Sequence, residues 1–356
     1  MQTNSKFTNS LTNPTGVTLL ILLTCGLGAI ALSFLNIKQI NPFLSSFIIT
    51  GALGYIVVPQ LQRIKASQII QEDGPATHLK KAGTPTMGGI FFIPTAIIIG
   101  LIFTNFSSNA IAVALVTFAY AFIGWVDDWQ ILRKKTNLGL TAKQKLALQI
   151  LFAVLFCVWM ASSQPPEITS VILPFNIILP LGFFFWFLAT FVIVAESNAT
   201  NLTDGVDGLA GGTSAIAFLG IGILVSNTHP DLLIFSLAIS GACLGFVLHN
   251  RNKASVFMGD TGSLALGASL SAIGILSQNL WALFIISLLF FLESISVIAQ
   301  VTYYKATKDE NGKGKRLLKM APIHHHLELS GWTETQIVGI FYLINTILIL
   351  ITIYSY

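Results

Sequence analysis

Stretches of roughly 17 to 25 consecutive apolar residues recur from one end of the chain to the other. At ~1.5 Å per residue, each is long enough to cross a ~30 Å hydrocarbon layer as a helix. Lipid offers backbone amides no hydrogen-bond partner, so a helix, which satisfies its own, is the spanning element to expect here. The mean hydropathy of +0.76 and a content of 54% hydrophobic against 10% charged residues exclude an ordinary soluble domain. Polar breaks between the runs predict eleven helices, at 15–35, 43–61, 88–104, 110–126, 145–161, 177–195, 209–226, 232–249, 262–278, 281–304 and 335–354. The first run is too long for a cleavable signal and no small-residue cleavage pattern follows it, so it reads as a first span. Cys25, Cys157 and Cys243 each lie inside an apolar run, too far apart for a zinc or disulfide framework, and read as packing residues.

Alternating the connections across the membrane places eighteen of the nineteen Lys and Arg residues on one side and only Lys38 on the other. By the positive-inside rule the basic side is cytoplasmic, which puts the N-terminus inside and the C-terminus outside. The net charge of +4 is spread over short loops, with no basic arm or aromatic-basic stripe, so nucleic acid is not an expected partner. External links at 105–109, 162–176 and 227–231 are short and poor in chemistry. There is no internal repeat or pair of broken segments of the kind transporters carry.

Function is therefore expected in the inner loops. The first, His78-Leu-Lys-Lys81-Ala-Gly-Thr-Pro-Thr86-Met-Gly-Gly89, combines small residues at a helix start with Lys81, a composition suited to an anion; the plain alternative is a turn followed by a packing surface. Asp127 and Asp128 are expected at the C-terminal end of the fourth span, where the helix dipole and mutual repulsion disfavour them unless a cation is near. The basic residues downstream, Arg133, Lys134, Lys135, Lys143 and Lys145, suit anionic lipid headgroups. In Asn198-Ala-Thr-Asn201-Leu-Thr-Asp204-Gly-Val-Asp207-Gly208, two carboxylates three residues apart would share a face of a helical turn, suited to capping, nucleoside recognition or Mg2+. Asp260, in Val256-Phe257-Met-Gly-Asp260-Thr-Gly-Ser263, opens the ninth span and by itself would read as an N-cap. The last inner loop holds Ala321-Pro-Ile-His324-His325-His326-Leu-Glu328; three consecutive imidazoles cannot converge on one metal from a regular helix, so phosphate binding or proton transfer fits them better than zinc. His249 and His229, without such company, read as interfacial fillers. Glu293, deep in the tenth span, should face the bundle interior in a structural or hinge role.

Taken together, these motifs resemble the bacterial phospho-N-acetylmuramoyl-pentapeptide transferases, within the polyprenyl-phosphate N-acetylhexosamine-1-phosphate transferase superfamily. The resemblance covers roughly residues 43 to 354 and rests on the strings at 78–89, 127–128, 201–210, 256–263 and 321–328, all on the face assigned to the cytoplasm. It implies an all-α polytopic membrane protein: a family domain of ten spans at 43–356, preceded at 1–42 by a tail and an extra span. It implies transfer of phospho-N-acetylmuramoyl-pentapeptide from its UDP carrier to undecaprenyl phosphate, with release of UMP, in the bacterial inner membrane, and a tendency to form homodimers. Mg2+ is the implied cofactor, with Asp260 as its ligand and Asp204 as a second candidate. Asp127 and Asp128 would act at the reacting phosphates. Asn201 and Asp204 would form the nucleotide side, with Asp207 and Phe257 meeting the uracil. Lys81, Thr86, Lys145 and His324 to His326 would line the same cleft, with Gln300 and Ala321 among the substrate contacts. The chain departs from the family pattern at Glu196-Ser197, at Thr200 and in a longer stretch around Lys308 to Lys315, which leaves the geometry between Gln300 and the His run open. A sister enzyme transferring N-acetylglucosamine-1-phosphate is the nearest alternative, and an ion-binding transporter a distant one.

Overall fold

A computed structural model describes residues 14–64, 81, 83–134, 139–173 and 177–355; His78, Lys80 and Lys135 of the motifs above lie outside them. The eleven apolar runs are helical, apart from the first residues of the run at 177–195. In chain order they are α1 (Pro14–Phe34), α2 (Ile37–Arg63), α3 (Gly89–Phe103), α4 (Ser108–Lys134), α5 (Ala142–Ser163), α6 (Phe184–Thr203), α7 (Leu209–Val225), α8 (Pro230–Asn250) and α9 (Gly259–Leu276). The tenth run is split into α10 (Leu280–Ile286) and α11 (Leu288–Ala306), and a short α12 (Ile323–Glu328) precedes α13 (Glu334–Ser355). Six of these helices are individually long and apolar enough to cross a membrane, and the bent pair α10 and α11 makes a seventh, with α3 and α7 shorter apolar helices beside them. The protein is a multi-pass, all-α membrane protein.

Local chemistry sets several boundaries. Reciprocal capping boxes start α2, through Asn36 and Gln39, and α5, through Thr141 and Gln144, each satisfying two otherwise orphaned amides. Two expected spans need correction. The run expected at 177–195 begins as a strand, β2 (Ile177–Pro180), paired antiparallel with β1 (Ser170–Leu173); β-branched residues favour the hairpin, and Pro180 with Gly182 at φ +52 delays the helix until Phe184. The run expected at 281–304 bends by 71° at Ser287. There the hydroxyl of Ser287 donates to the Leu283 carbonyl at 2.7 Å, alongside its own amide at 2.9 Å, a local competition that disrupts regular helix.

Helices α7 and α8 form the centre: nearly every residue of α7 is buried, as is 89% of the apolar window of α8, against 22% for the peripheral α1. With no apolar drive between helices in lipid, small residues and internal hydrogen bonds hold the bundle. Asn345 donates to the Thr213 carbonyl at 2.9 Å, Ser240 to Ala215 at 2.6 Å, and Tyr342 to Gly208 at 2.6 Å. His249 is buried and bonded to the Gly51 carbonyl at 2.9 Å, so it belongs to the core rather than to the interface. His229 is half-buried and precedes α8.

The two ends of the bundle differ as the alternation of loops requires. At one end Ser107 donates to Asp231 at 2.9 Å, Gln164 donates to Asn109 at 3.0 Å, and the β-hairpin packs against α10. The described motif residues lie at the other. The start of α1 is at that end too, where Gly16 rests so closely on the Asn252 carbonyl that a Cβ would overlap it.

Candidate active site

The site grows from the junction of α4 and α9. Gly124 lets the two helices touch, since a Cβ there would overlap the Asp260 carbonyl. One turn further along α4, Asp128 aims at the start of α9 and accepts from the Asp260 amide at 3.2 Å, the Thr261 amide at 3.1 Å and the Thr261 hydroxyl at 2.7 Å. A carboxylate borrowed from another helix thus caps α9. The loop before α3 zips onto the same place: Gly88 and Gly89 donate to Phe257 and Met258 at 2.8 and 2.9 Å, and the Phe257 amide returns a bond to Pro85 at 2.8 Å. Gly259 makes the tight entry to α9 with φ +72, and its missing side chain leaves room for Asp128 and Thr86.

The expectation that Asp127 and Asp128 end α4 is corrected here, because the helix continues to Lys134. The pair sits beyond the reach of the terminal dipole, which fades within a turn; burial and partners govern it instead. Asp127 accepts from the Leu140 amide at 2.6 Å and stands 3.7 Å from Lys145. Lys145 also contacts Asp260, whose other oxygen accepts from Asn201 at 2.8 Å; Asn201 in turn bonds Ser263 at 2.8 Å. Asp260 is the most open of the ion-paired carboxylates here, with 24% of its side chain exposed against 10% for Asp127 and 1% for Asp207.

Asp204 and Asp207 do not share a helical face. Helix α6 stops at Thr203, Asp204 caps its end, and a turn closing on Gly208 at φ +84 sends the two side chains to different partners. Burial, then the charges of Asp260, Asp128 and Asp207, raise the Asp204 carboxyl well above the usual carboxylate range, against one favourable bond from the Gly259 amide. Asp207 is locked, with one oxygen on Lys81 at 2.8 Å and the other on the Ala254 amide at 2.9 Å. Burial works to lower the pKa of Lys81, but Asp207 and Glu334, each at 2.8 Å, outweigh it and hold the ammonium charged. Glu334 also accepts from Asn252 at 3.0 Å and was not among the residues expected from the sequence. A single Glu at a helix start reads as ordinary dipole compensation, so nothing in the sequence singled it out.

These groups surround a cleft of about 260 Å3 lined by Lys81, Thr86, Asp128, Asn201, Asp204, Asp207, Phe257 and Asp260. The inner loops converge here, but Lys145 reaches the cleft only through Asp127 and Asp260 and does not line it, and the last loop departs further. Gln300 and Ala321 border a separate cavity. His324 to His326 do not line the cleft either. His324 is fully buried with its ring against Gly205, where a Cβ would overlap it, and its Nδ1 lies 3.2 Å from Glu293, in an approach too skewed for a hydrogen bond. His325 pairs with Glu328 at 2.7 Å, and His326 accepts from the Lys319 amide at 3.1 Å. The run thus buttresses the Asp204 to Gly208 turn from behind. Glu293→Leu removes the carboxylate 3.2 Å from the fully buried His324 ring and is expected to lower unfolding stability, with Glu293→Gln recovering part of it. An unchanged denaturation midpoint for Glu293→Leu would show that the pair contributes nothing.

The carboxyl chemistry suits a hard divalent cation. Among the described residues no three acidic, His or Cys side chains form a cage. Asp260 and Asp204 are the two carboxyls that could hold Mg2+, which is ordinarily bound by one or two carboxylates together with substrate phosphates and water.

Comparison with known proteins agrees with the geometry. The chain matches glycosyl transferase family 4 over residues 110–278 and phospho-N-acetylmuramoyl-pentapeptide-transferase signature 1 over residues 81–93. It is 61% identical over 350 residues to a phospho-N-acetylmuramoyl-pentapeptide-transferase of Rippkaea orientalis and 62% identical over 343 residues to one of Microcystis aeruginosa, covering 96% of each chain in both cases. A protein of the same description from Trichormus variabilis is 58% identical over 349 residues, with 95% of each chain covered.

Proposed function

This chain belongs to the phospho-N-acetylmuramoyl-pentapeptide-transferase family, and from that premise we propose that it moves phospho-N-acetylmuramoyl-pentapeptide from UDP to undecaprenyl phosphate, releasing UMP, at a cleft open to the cytoplasm of a bacterial inner membrane. The observation that carries the reading is the convergence of Asp127 and Asp128 of α4, Lys145 of α5, Asp204 at the end of α6 and Asp260 of α9 on one end of the bundle. Both substrates are anions, so the site must neutralise charge where a pyrophosphate breaks. Mg2+, held by Asp260 with Asp204 beside it, would supply that neutralisation. Lys145 then holds a positive charge between Asp127 and Asp260, placed to steady a phosphate oxygen.

The three bonds it accepts from α9 support a positioning role for Asp128 beside its expected place at the reacting phosphates. Asp127 keeps one oxygen toward Lys145 and is the better placed base for the lipid phosphate. On the donor side, Lys81 is fixed by Asp207 and Glu334 at the cleft wall, and Phe257 offers a ring for a base to stack on. Asp207, with both oxygens engaged, shapes that wall through Lys81.

The branch within the superfamily is tested by offering purified protein UDP-N-acetylmuramoyl-pentapeptide and UDP-N-acetylglucosamine in competition with polyprenyl phosphate. UMP should come from the former alone, and preferential use of the latter would place the chain with the sister enzymes. The raised carboxyl of Asp204 adds a linkage. A group with a raised folded-state pKa favours the fold below its ordinary pKa and loses that contribution as pH rises through the raised value. The metal-free protein should therefore lose stability as pH rises through the raised pKa of Asp204, and Mg2+ binding should release protons. Titration calorimetry in buffers of different ionisation enthalpy measures that release, and Asp204→Asn should remove it while raising the melting temperature of the metal-free protein. A wild-type binding enthalpy independent of buffer would contradict the linkage.

A further inference from the structure

Helix α1 stands at the rim of the bundle, and of its residues only Gly16, Leu23, Leu27 and Ala31 are buried. Leu23, Leu27 and Ala31 form the apolar stripe that any helix packed on a bundle needs. Gly16 does something else. It seats the first turn of α1 on backbone, at the Asn252 carbonyl in the turn that links α8 to α9. Nearby, Leu19 lies against Gly339 of α13, 3.4 Å from where a Cβ would stand. The start of α1 therefore rests both on the turn that carries Asn252 and on the helix that carries Glu334.

Those two residues are tied to the cleft wall. The Asn252 side chain donates to Glu334 at 3.0 Å, and Glu334 and Asp207 hold Lys81 between them at 2.8 Å each. The Ala254 amide donates to the other oxygen of Asp207 at 2.9 Å. The turn 252–254 thus bonds both carboxylates that fix Lys81. Behind them, Gly16, Leu19 and Leu20 close a void of about 10 Å3 against Asp207, Arg251 and Tyr342, room for one water at most. Asp207 borders this void on one side and the catalytic cleft on the other. With the void so small, bulk water is kept from the back of the ion pairs, whose attraction is stronger for it.

We propose that the first turn of α1 is a positioning element for the donor substrate: seated through Gly16 on the turn 252–254, it sets how Glu334 and Asp207 hold Lys81 and so shapes the wall that meets the UDP donor. The inference rests on the reading of that wall as the donor side. Asn252 does not line the cleft, so it acts as a positioning residue that passes the seat of α1 to Glu334. The acidic centre at Asp127 and Asp260 is built on α4 and α9, so this contact governs donor binding and leaves the chemical step alone.

The test is steady-state kinetics of the full chain with each substrate varied in turn. Gly16→Val drives a side chain into the Asn252 carbonyl, whereas Asn252→Ala removes the bond to Glu334 and leaves the glycine seat in place. Each should raise KM for the UDP donor about tenfold, the worth of one hydrogen bond to a charged group. Because only binding shared by ground and transition states is lost, kcat and the KM for the polyprenyl phosphate should stay within about twofold of wild type. Lys81→Gln should raise the donor KM at least as much, and Gly16→Val on that background should add nothing, since α1 acts through Lys81. Gly26→Val, on the same helix with open space around the glycine, should match the wild type. Equal effects on both substrates, or a Gly16→Val penalty that adds in full to that of Lys81→Gln, would make the contact a matter of bundle stability alone and overturn the inference. If Gly16→Val does not fold, Asn252→Ala carries the same comparison. A donor KM raised by Lys81→Gln but unmoved by Gly16→Val and Asn252→Ala would overturn the inference and leave the donor wall standing. A Lys81→Gln enzyme with the wild-type donor KM would overturn that reading of the wall, and the inference with it.

Discussion

Asp260→Asn is expected to lower kcat by about 10³-fold or more while leaving the protein folded. The change keeps the shape of the side chain and removes one charge from the carboxylate that Lys145 and Asn201 hold, the most open of those ion-paired around the cleft. It also relieves the repulsion that Asp260 exerts on Asp204, so the metal-free variant should melt no lower than the wild type. Asp128→Asn should differ in kind. Weakening the acceptor that caps α9 through Thr261 should cost ~0.5–2 kcal/mol of stability and slow turnover through displacement of Asp260. Thermal unfolding and UMP release on both variants separate the roles. An Asp260→Asn protein within a few-fold of wild-type turnover would remove Asp260 from the chemistry.

Gly124→Val carries the second large effect. Gly124 lies one turn before the Asp pair on the face of α4 that meets α9, and a Cβ there would occupy the position of the Asp260 backbone. Backbone cannot step aside as a long side chain can, so the helices must part. Overpacking of this kind costs ~1–3 kcal/mol, and a displacement of about 1 Å at reacting groups is worth about 10²-fold in rate. Gly26→Val is the matched control, because a Cβ at Gly26 meets no atom within 4 Å. A Gly124→Val enzyme with the wild-type rate would show that close contact of α4 and α9 is dispensable.

Much of this architecture is legible in the sequence because lipid is an undemanding solvent to read: the eleven apolar runs locate the helices, apart from the strand at Ile177–Pro180 and the break at Ser287. The site is legible to the extent that its acids come in short motifs on one face. What the sequence conceals depends on three-dimensional partners. Ser287 looks like any polar residue tolerated within an apolar run, yet the helix breaks there. Asp128 reads as half of a reactive pair, and only its approach to α9 reveals a cap. Asp127 and Asp128 look like the edge of the membrane, whereas the helix continues through Ile131 and Leu132 to Lys134. The His run is adjacent to the cleft in motif order but lies behind it in space, with His324 buried between Gly205 and Glu293. Glu334 was missed because Lys81, its partner, is 253 residues away.

The most direct measurement combines purified protein and Mg2+ with UDP-N-acetylmuramoyl-pentapeptide, with and without undecaprenyl phosphate. UMP should appear in one-to-one ratio with the lipid-linked phospho-sugar, only when the lipid is present, and should cease on addition of EDTA. UMP released without the lipid, or none released with both substrates and metal supplied, would contradict a cleft that joins the two at its acidic centre.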